Sequence, residues 1–177
     1  MRAFRAIKYW QDILLPVLRR DDPPIIPQAI VVQGQQVLLV QRDTPHLWEL
    51  PGGGMRPGEA PETTIVREVY EETGLHVRIL ELLGWYERTG WRPHRSPIYI
   101  CHPLGGVLQP QPTEVTAVRY FPPQALPTGL FPWYRVIVQQ DMTSHEFRPL
   151  HRHQHISLGV VLHCLALDIG GRFGFID

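Results

Sequence analysis

Residues 53–75 read Gly53-Gly54-Met55-Arg56-Pro57-Gly58-Glu59-Ala60-Pro61-Glu62-Thr63-Thr64-Ile65-Val66-Arg67-Glu68-Val69-Tyr70-Glu71-Glu72-Thr73-Gly74-Leu75. Pro61 suits the first turn of a helix, where its missing N–H would have no intrahelical partner, and Gly74 suits the position just past the end. The spacing predicts a helix over about 60–73. At about 100° per residue, Ile65, Val66, Val69, Tyr70 and Thr73 fall on one side and Glu68, Glu71 and Glu72 on the other. Glutamates spaced i, i+3, i+4 are neighbours, and each like-charge pair costs a few tenths of a kcal/mol. No lysine stands among them. A divalent cation would compensate the cluster, since Mg²⁺ takes hard oxygen ligands, commonly one or two carboxylates with waters and substrate phosphates.

Arg67 lies eight residues after Glu59 and can grip carboxylates bidentately, so it is expected to fix Glu59 or Glu68 rather than touch a substrate. Gly52 to Gly54 would let the backbone pass close to a metal with a carbonyl turned inward. The run is not a phosphate loop of the Walker or dinucleotide type, because the glycine spacing and the Lys-Ser/Thr pair are missing. Gly53, five residues, Glu59, seven residues, then Arg67-Glu68-Val69-Tyr70-Glu71-Glu72-Thr73-Gly74-Leu75 resembles the Nudix box at every defining position. Chance agreement is on the order of one in ten million at ordinary residue usage, which sets aside a merely solvated acidic helix.

The resemblance extends to Trp48-Glu49-Leu50-Pro51-Gly52-Gly53 as a lead-in, and to residues 114–121 followed by Leu126-Pro127 as a later strand and short helix. It covers 28 to about 142. It implies an α/β/α sandwich with a mixed sheet and two or three Mg²⁺ or Mn²⁺ ions. It also implies hydrolysis of a nucleoside diphosphate linked to another group: a nucleotide sugar, ADP-ribose, a dinucleoside polyphosphate or a modified nucleoside triphosphate. Glu68, Glu71, Glu72 and the Gly53 carbonyl are the implied metal ligands. Glu68, Glu71, Glu72, Arg67 and Glu114 form the implied catalytic set, with Glu59 and Gly52 in support. Glu68 and Glu114 both stand as candidate proton acceptors, and an ordinary exposed loop carboxylate is the other reading of Glu114. A non-catalytic nucleotide-sensing module on the same fold is the alternative; such modules tend to lose box glutamates, and here all are present.

Outward from the box the chain reads as mixed α and β. Residues 29–32 and 37–41 form an apolar, β-branched hairpin around Gln33 to Gln36, and strands are expected near 77–86, 98–101 and 115–121. Trp133, Val136, Ile137 and Gln140 recur at helix spacing, and 156–167 reads as a closing strand. Residues 88–95 join two strands and mix cations with an aromatic, which makes Arg88, Trp91, Arg92 and Arg95 the candidate substrate contacts; a plain exposed loop has the same composition. His151, His153 and His155 alternate as strand-face ligands would, yet no carboxylate or Cys stands at ligand spacing, so a solvated strand end is favoured.

Residues 1–27 are expected to form an N-terminal helix and a Pro-rich linker ahead of a domain over 28–177. Phe4, Ile7, Trp10, Leu14 and Leu18 line one helix face, interrupted at Pro16, for packing on the domain or on a second subunit in a homodimer, with peripheral membrane contact or an organelle transit peptide as the other readings. That stretch is too short and broken for a membrane span or signal peptide. In 177 residues, 17 Lys plus Arg balance 17 Asp plus Glu, which lacks the electrostatic footprint of a general nucleic-acid or membrane-surface binder. A small nucleotide-derived substrate is the expected partner. Cys101 and Cys164 sit in apolar runs, as in a chain kept in a reducing cytoplasm.

Overall fold

The computed structural model describes residues 9–10, 23–111, 114–144 and 147–175. The expected hairpin forms from β1 (Gln28–Gln33) and β2 (Gln36–Arg42), with Val32 opposite Val37. Both β3 (Trp48–Glu49) and β6 (Val115–Phe121) pair antiparallel with β2. β4 (Leu75–Gly90) and β5 (His94–Gly106) form a long antiparallel pair, β1 runs parallel to β5, and β7 (Leu150–Ile156) runs parallel to β4. The sheet has seven strands in the order β3-β2-β1-β5-β4-β7, with β6 on β2. β4 and β5 run past the expected 77–86 and 98–101, so the presumed loop over 88–95 is mostly strand, with 91–93 as its turn.

The mixed sheet is buried on both faces because adjacent residues on each strand serve different cores. Ala29, Val31, Leu38, Tyr99 and Cys101 pack with Ile65 and Val69 of α1 (Pro61–Thr73). Ile30, Val37, Leu39, Ile98 and Ile100 face the opposite way, onto α2 (Pro132–Val136) with its π-helical continuation (Ile137–Asp141) and α3 (Leu158–Arg172). Period-two side-chain alternation thus builds an α/β/α sandwich from one sheet.

Local signals place α1 well. Pro61 begins it, and Gly74 ends it at φ 73°, where a Cβ would also lie 2.3 Å from the Val107 carbonyl oxygen. Its buried face differs from the expectation: Thr64, Ile65, Val69, Glu72 and Thr73 are buried, whereas Val66 and Tyr70 are exposed. The threonines can turn inward because Thr64 and Thr73 hydroxyls donate to the carbonyls of Ala60 and Val69. Tyr70 instead stacks on His76 at 4.6 Å. The rotation carries Glu72 from the expected acidic face to the buried edge.

Two other expectations are corrected. Of residues 156–167 only Ile156, the last residue of β7, is strand: Ser157 caps α3 by accepting from Val160 N–H, and Val161, Cys164, Leu167 and Asp168 are buried at helical spacing. In the 132–141 segment the buried residues are Tyr134, Ile137, Val138 and Asp141, while Val136 is exposed, because the switch to π-helix after Val136 shifts the phase of the inward face. The N-terminal helix to residue 18, including Phe4, Ile7, Leu14, Pro16 and Leu18, lies outside the described residues. Tyr9 and Trp10 are helical, and Trp10 is buried in the core of its own chain, with its Nε1–H donating to Asp168 of α3 at 2.6 Å. The end of the Pro-rich linker joins the sheet as well, since Ile26 N–H donates to the Arg95 carbonyl. Among the described residues no helix is long and apolar enough to cross a membrane.

Candidate active site

Arg67 organises the entrance of the site. Its Nε and Nη2 hold the two oxygens of Glu59 at 2.9 and 2.8 Å, Nη1 reaches Glu68 at 2.6 Å and Glu71 at 3.0 Å, and Nη2 also donates to the Gly54 carbonyl at 3.2 Å. Arg56 adds its backbone N–H to Glu59 at 2.9 Å and its Nη2 to Glu71 at 3.0 Å. The Arg67 fork, followed by the Arg56 N–H, holds the Glu59 carboxyl down at about 2. The expected partner was Glu59 or Glu68; the guanidinium takes both.

Glu72 sits deeper. One oxygen accepts from Arg42 Nη1 at 2.7 Å and the other from Gly52 N–H at 3.0 Å. Burial raises its carboxyl to about 8 against the pull of Arg42. Arg42 also pairs with Glu49 through Nε at 3.3 Å and comes within 3.7 Å of Glu114. The acidic cluster, which has no lysine in the sequence near it, is balanced by Arg67 beside it, by Arg42 from β2 and by Arg56 from the loop before α1. Glu114, itself exposed, is brought to the site through Arg42.

Gly52 to Gly54 wrap this face. A Cβ at Gly53 would lie 2.7 Å from the Glu68 carboxyl carbon, so a side chain there would push that carboxylate from its place against the loop. Three carboxylates and a nearby backbone carbonyl are hard oxygen donors, a set that fits Mg²⁺ or Mn²⁺. Among the described residues, no three His, Cys, Asp or Glu side chains already converge on one metal position; the carboxylates point to their arginines.

The glycine loop opens into a cavity of about 590 Å³. Arg88, Trp91 and Arg92 line it, as do Gln28, Glu49, Tyr9, Phe131, Trp133 and Tyr134, which sequence reasoning missed. Arg95 instead lines a neighbouring cleft with Pro24, Ile26 and Met55. Trp133 is legible in the sequence only as one residue of a helical repeat, Glu49 only as part of the lead-in to the box, and Gln28 carries no signal. The histidines of β7 are exposed on the sheet edge, with His153 Nδ1 3.2 Å from Glu87 and His155 Nδ1 3.2 Å from the Thr89 hydroxyl.

A NUDIX domain family model matches residues 26–141. The chain belongs to the Nudix family. Nudix hydrolases act on phosphoric anhydride bonds, and this chain is one of them. It is 33% identical over 103 residues to a putative 8-oxo-dGTP diphosphatase of Bacillus subtilis, covering 58% of this chain and 68% of the relative. It is 37% identical over 105 residues to a MutT-like protein of Streptomyces ambofaciens, covering 57% and 67%. A crystal structure of an ADP-ribose pyrophosphatase from Streptococcus suis superposes with a TM-score of 0.60 at 25% identity, covering 75% of this chain and 99% of that one. A Nudix hydrolase from Nitrosomonas europaea shares the fold at TM-score 0.66 and 21% identity, over 80% and 84% of the two chains.

Proposed function

We propose that this Nudix hydrolase cleaves the pyrophosphate linkage of a small nucleoside diphosphate derivative, with Mg²⁺ or Mn²⁺ held by Glu68, Glu71, Glu72 and the Gly53 carbonyl. The observation that carries the proposal is the continuity of site and cavity: the loop that touches Glu68 and Glu72 and the Arg67 clamp is also a wall of the space lined by Trp91, Arg92 and Trp133. A diphosphate at the loop would leave its nucleoside in an aromatic-walled cavity of a size usual for small ligands. Bound divalent cations would neutralise phosphate oxygens and lower the pKa of an attacking water. Arg67 keeps Glu59, Glu68 and Glu71 in fixed positions, and Arg42 does the same for Glu72. Glu68, against the glycine loop, or Glu114, 3.7 Å from the Arg42 nitrogen that also holds Glu72, accepts the proton. The B. subtilis and S. suis proteins, by their names, act on nucleotides of this kind. The balanced charge supports a small substrate over a nucleic-acid polymer, and two free, buried cysteines support a reducing compartment such as the cytoplasm.

The test is a Mg²⁺-dependent screen of nucleotide sugars, ADP-ribose, dinucleoside polyphosphates and oxidised nucleoside triphosphates, run beside Glu72→Gln. The parent should hydrolyse at least one of these, and the variant should do so at least about 100-fold more slowly, as expected for loss of a metal clamp on phosphoryl transfer. Full activity in the variant, or no hydrolysis by the parent, overturns the proposal.

A further inference from the structure

Arg88 lies near the end of β4, on the floor of the cavity, almost fully buried. Its hydrogen-bond acceptors are all uncharged. Nε donates to Gln154 at 3.0 Å and Nη1 to His94 Nε2 at 2.7 Å, while the bonds to Gln28 Oε1 and Ser96 Oγ are long, at 3.4 Å. Nη2 reaches that same Gln28 oxygen, again at 3.4 Å, and the Tyr134 hydroxyl is a further acceptor for the guanidinium. None of these partners is a carboxylate, and burial pushes the Tyr134 hydroxyl up, which keeps it neutral. His94 donates its Nδ1–H to the Arg92 carbonyl at 2.7 Å, which leaves a neutral Nε2 lone pair for Arg88, and the Gln28 amide is turned by donating to Tyr134 Oη. Glu49, whose field reaches Arg88, is ion-paired with Arg42. A buried guanidinium whose bonds to Gln28 and Ser96 are long, and which has no hydrogen-bonded carboxylate, can take acceptors from a ligand.

The surroundings restrict what that ligand is. The guanidinium carbon lies 5.5 Å from the Trp133 ring centre and 5.0 Å from that of Tyr134, and Phe131 stacks on Trp133 at 4.6 Å. Flat apolar faces next to a planar donor fork suit a neutral planar heterocycle presenting two adjacent acceptors. Guanine offers that edge in O6 and N7, where arginine binds bidentately, whereas adenine places an amino donor there. We propose that Arg88 is a specificity-determining residue that selects a keto purine, O6 and N7 toward its guanidinium, over an amino purine. This rests on the proposed function only in taking the cavity to hold the nucleoside of the substrate.

Calorimetric titration of the intact protein with GMP, IMP and AMP in Mg²⁺ tests it without catalysis. IMP keeps O6 and N7 and lacks the 2-amino group, so IMP and GMP should bind within about 3-fold of each other and at least about 10-fold more tightly than AMP. Equal binding of IMP and AMP, or binding of neither purine, overturns the proposal in the unaltered protein. Arg88→Lys keeps the charge and loses the fork; folded, it should narrow the IMP-to-AMP gap to under about 3-fold, and an unchanged gap overturns the assignment to Arg88. Equal kcat/KM on guanosine and adenosine diphosphate derivatives also overturns it and leaves the hydrolase reading standing. Keto-purine binding with no hydrolysis of any derivative would instead overturn the hydrolase reading alone.

Discussion

Asp168→Asn should loosen the N-terminal segment from the domain. The Asp168 carboxylate is almost fully buried, one oxygen accepting from Trp10 Nε1 at 2.6 Å and the other from His46 N–H at 2.6 Å and Arg172 Nε at 2.8 Å. Asparagine has one acceptor oxygen. Turned to keep His46, it sets an NH₂ against the Trp10 N–H, donor to donor; turned to keep Trp10, it does so against two donors. The milder choice loses one hydrogen bond to a charged acceptor, worth about 1.5–3 kcal/mol, and weakens the pair with the partly exposed Arg172 by up to about 1 kcal/mol. A net loss of about 3 kcal/mol lowers Tm by roughly 6–12 °C in a domain of this size. Thermal and urea denaturation of the parent, Asp168→Asn, Trp10→Phe and the double variant would read it. The double-mutant cycle should give a coupling of about 1–2 kcal/mol between the two positions. Additivity within about 0.5 kcal/mol would mean that Trp10 does not anchor on α3, and the account of the N-terminal segment would fail. Because Tyr9 and Trp10 line the cavity, the same variants should raise KM more than they lower kcat.

Arg67→Lys keeps a cation but cannot span Glu59, Glu68 and Glu71 together, so activity should fall at least about 10-fold with the circular dichroism of the fold unchanged; near-parent turnover would show that the clamp does not position the site. Gly53→Ala drives a methyl into the Glu68 carboxylate and should reduce kcat by at least about 10-fold, measured on whichever substrate the screen finds; a silent variant would remove the glycine loop from the site. His94 is pushed down from 6.5 to about 4 by burial, then by the charge of Arg88. Folding therefore excludes a proton that the unfolded chain binds between those values: the stability is full above pH 6.5 and is lost progressively down to pH 4, by at most about 3 kcal/mol. His94→Gln should flatten urea stability across that window, and an equally steep fall would locate the acid sensitivity elsewhere.

The legible parts of this protein rest on short-range physics. Pro61 and Gly74 act through their own backbones, the β1–β2 hairpin closes over Gly34 and Gln35, and Glu59, Arg67 and Glu68 meet across less than three turns of chain, so spacing alone marked the helix, the clamp and the family. Residues 156–167 went astray because an apolar run without alternation looks alike in a buried strand and a buried helix; Ser157 and the packing of Val161, Cys164 and Leu167 on the sheet settle it. The phase of α1 was misjudged for a related reason, since threonines that satisfy their hydroxyls within the helix can replace Val66 and Tyr70 on the inner face.

What the sequence by itself determined is thus the acidic helix, its glycine loop and the class of chemistry, all encoded within 23 residues. The tertiary structure alone decided the company those residues keep. It brought Arg42 to Glu72, Arg88 to Gln28 and Trp133, and Trp10 to Asp168, the last pair 158 positions apart. Strand register and helix docking set these encounters, and both are fixed by the whole buried surface at once rather than by any local spacing.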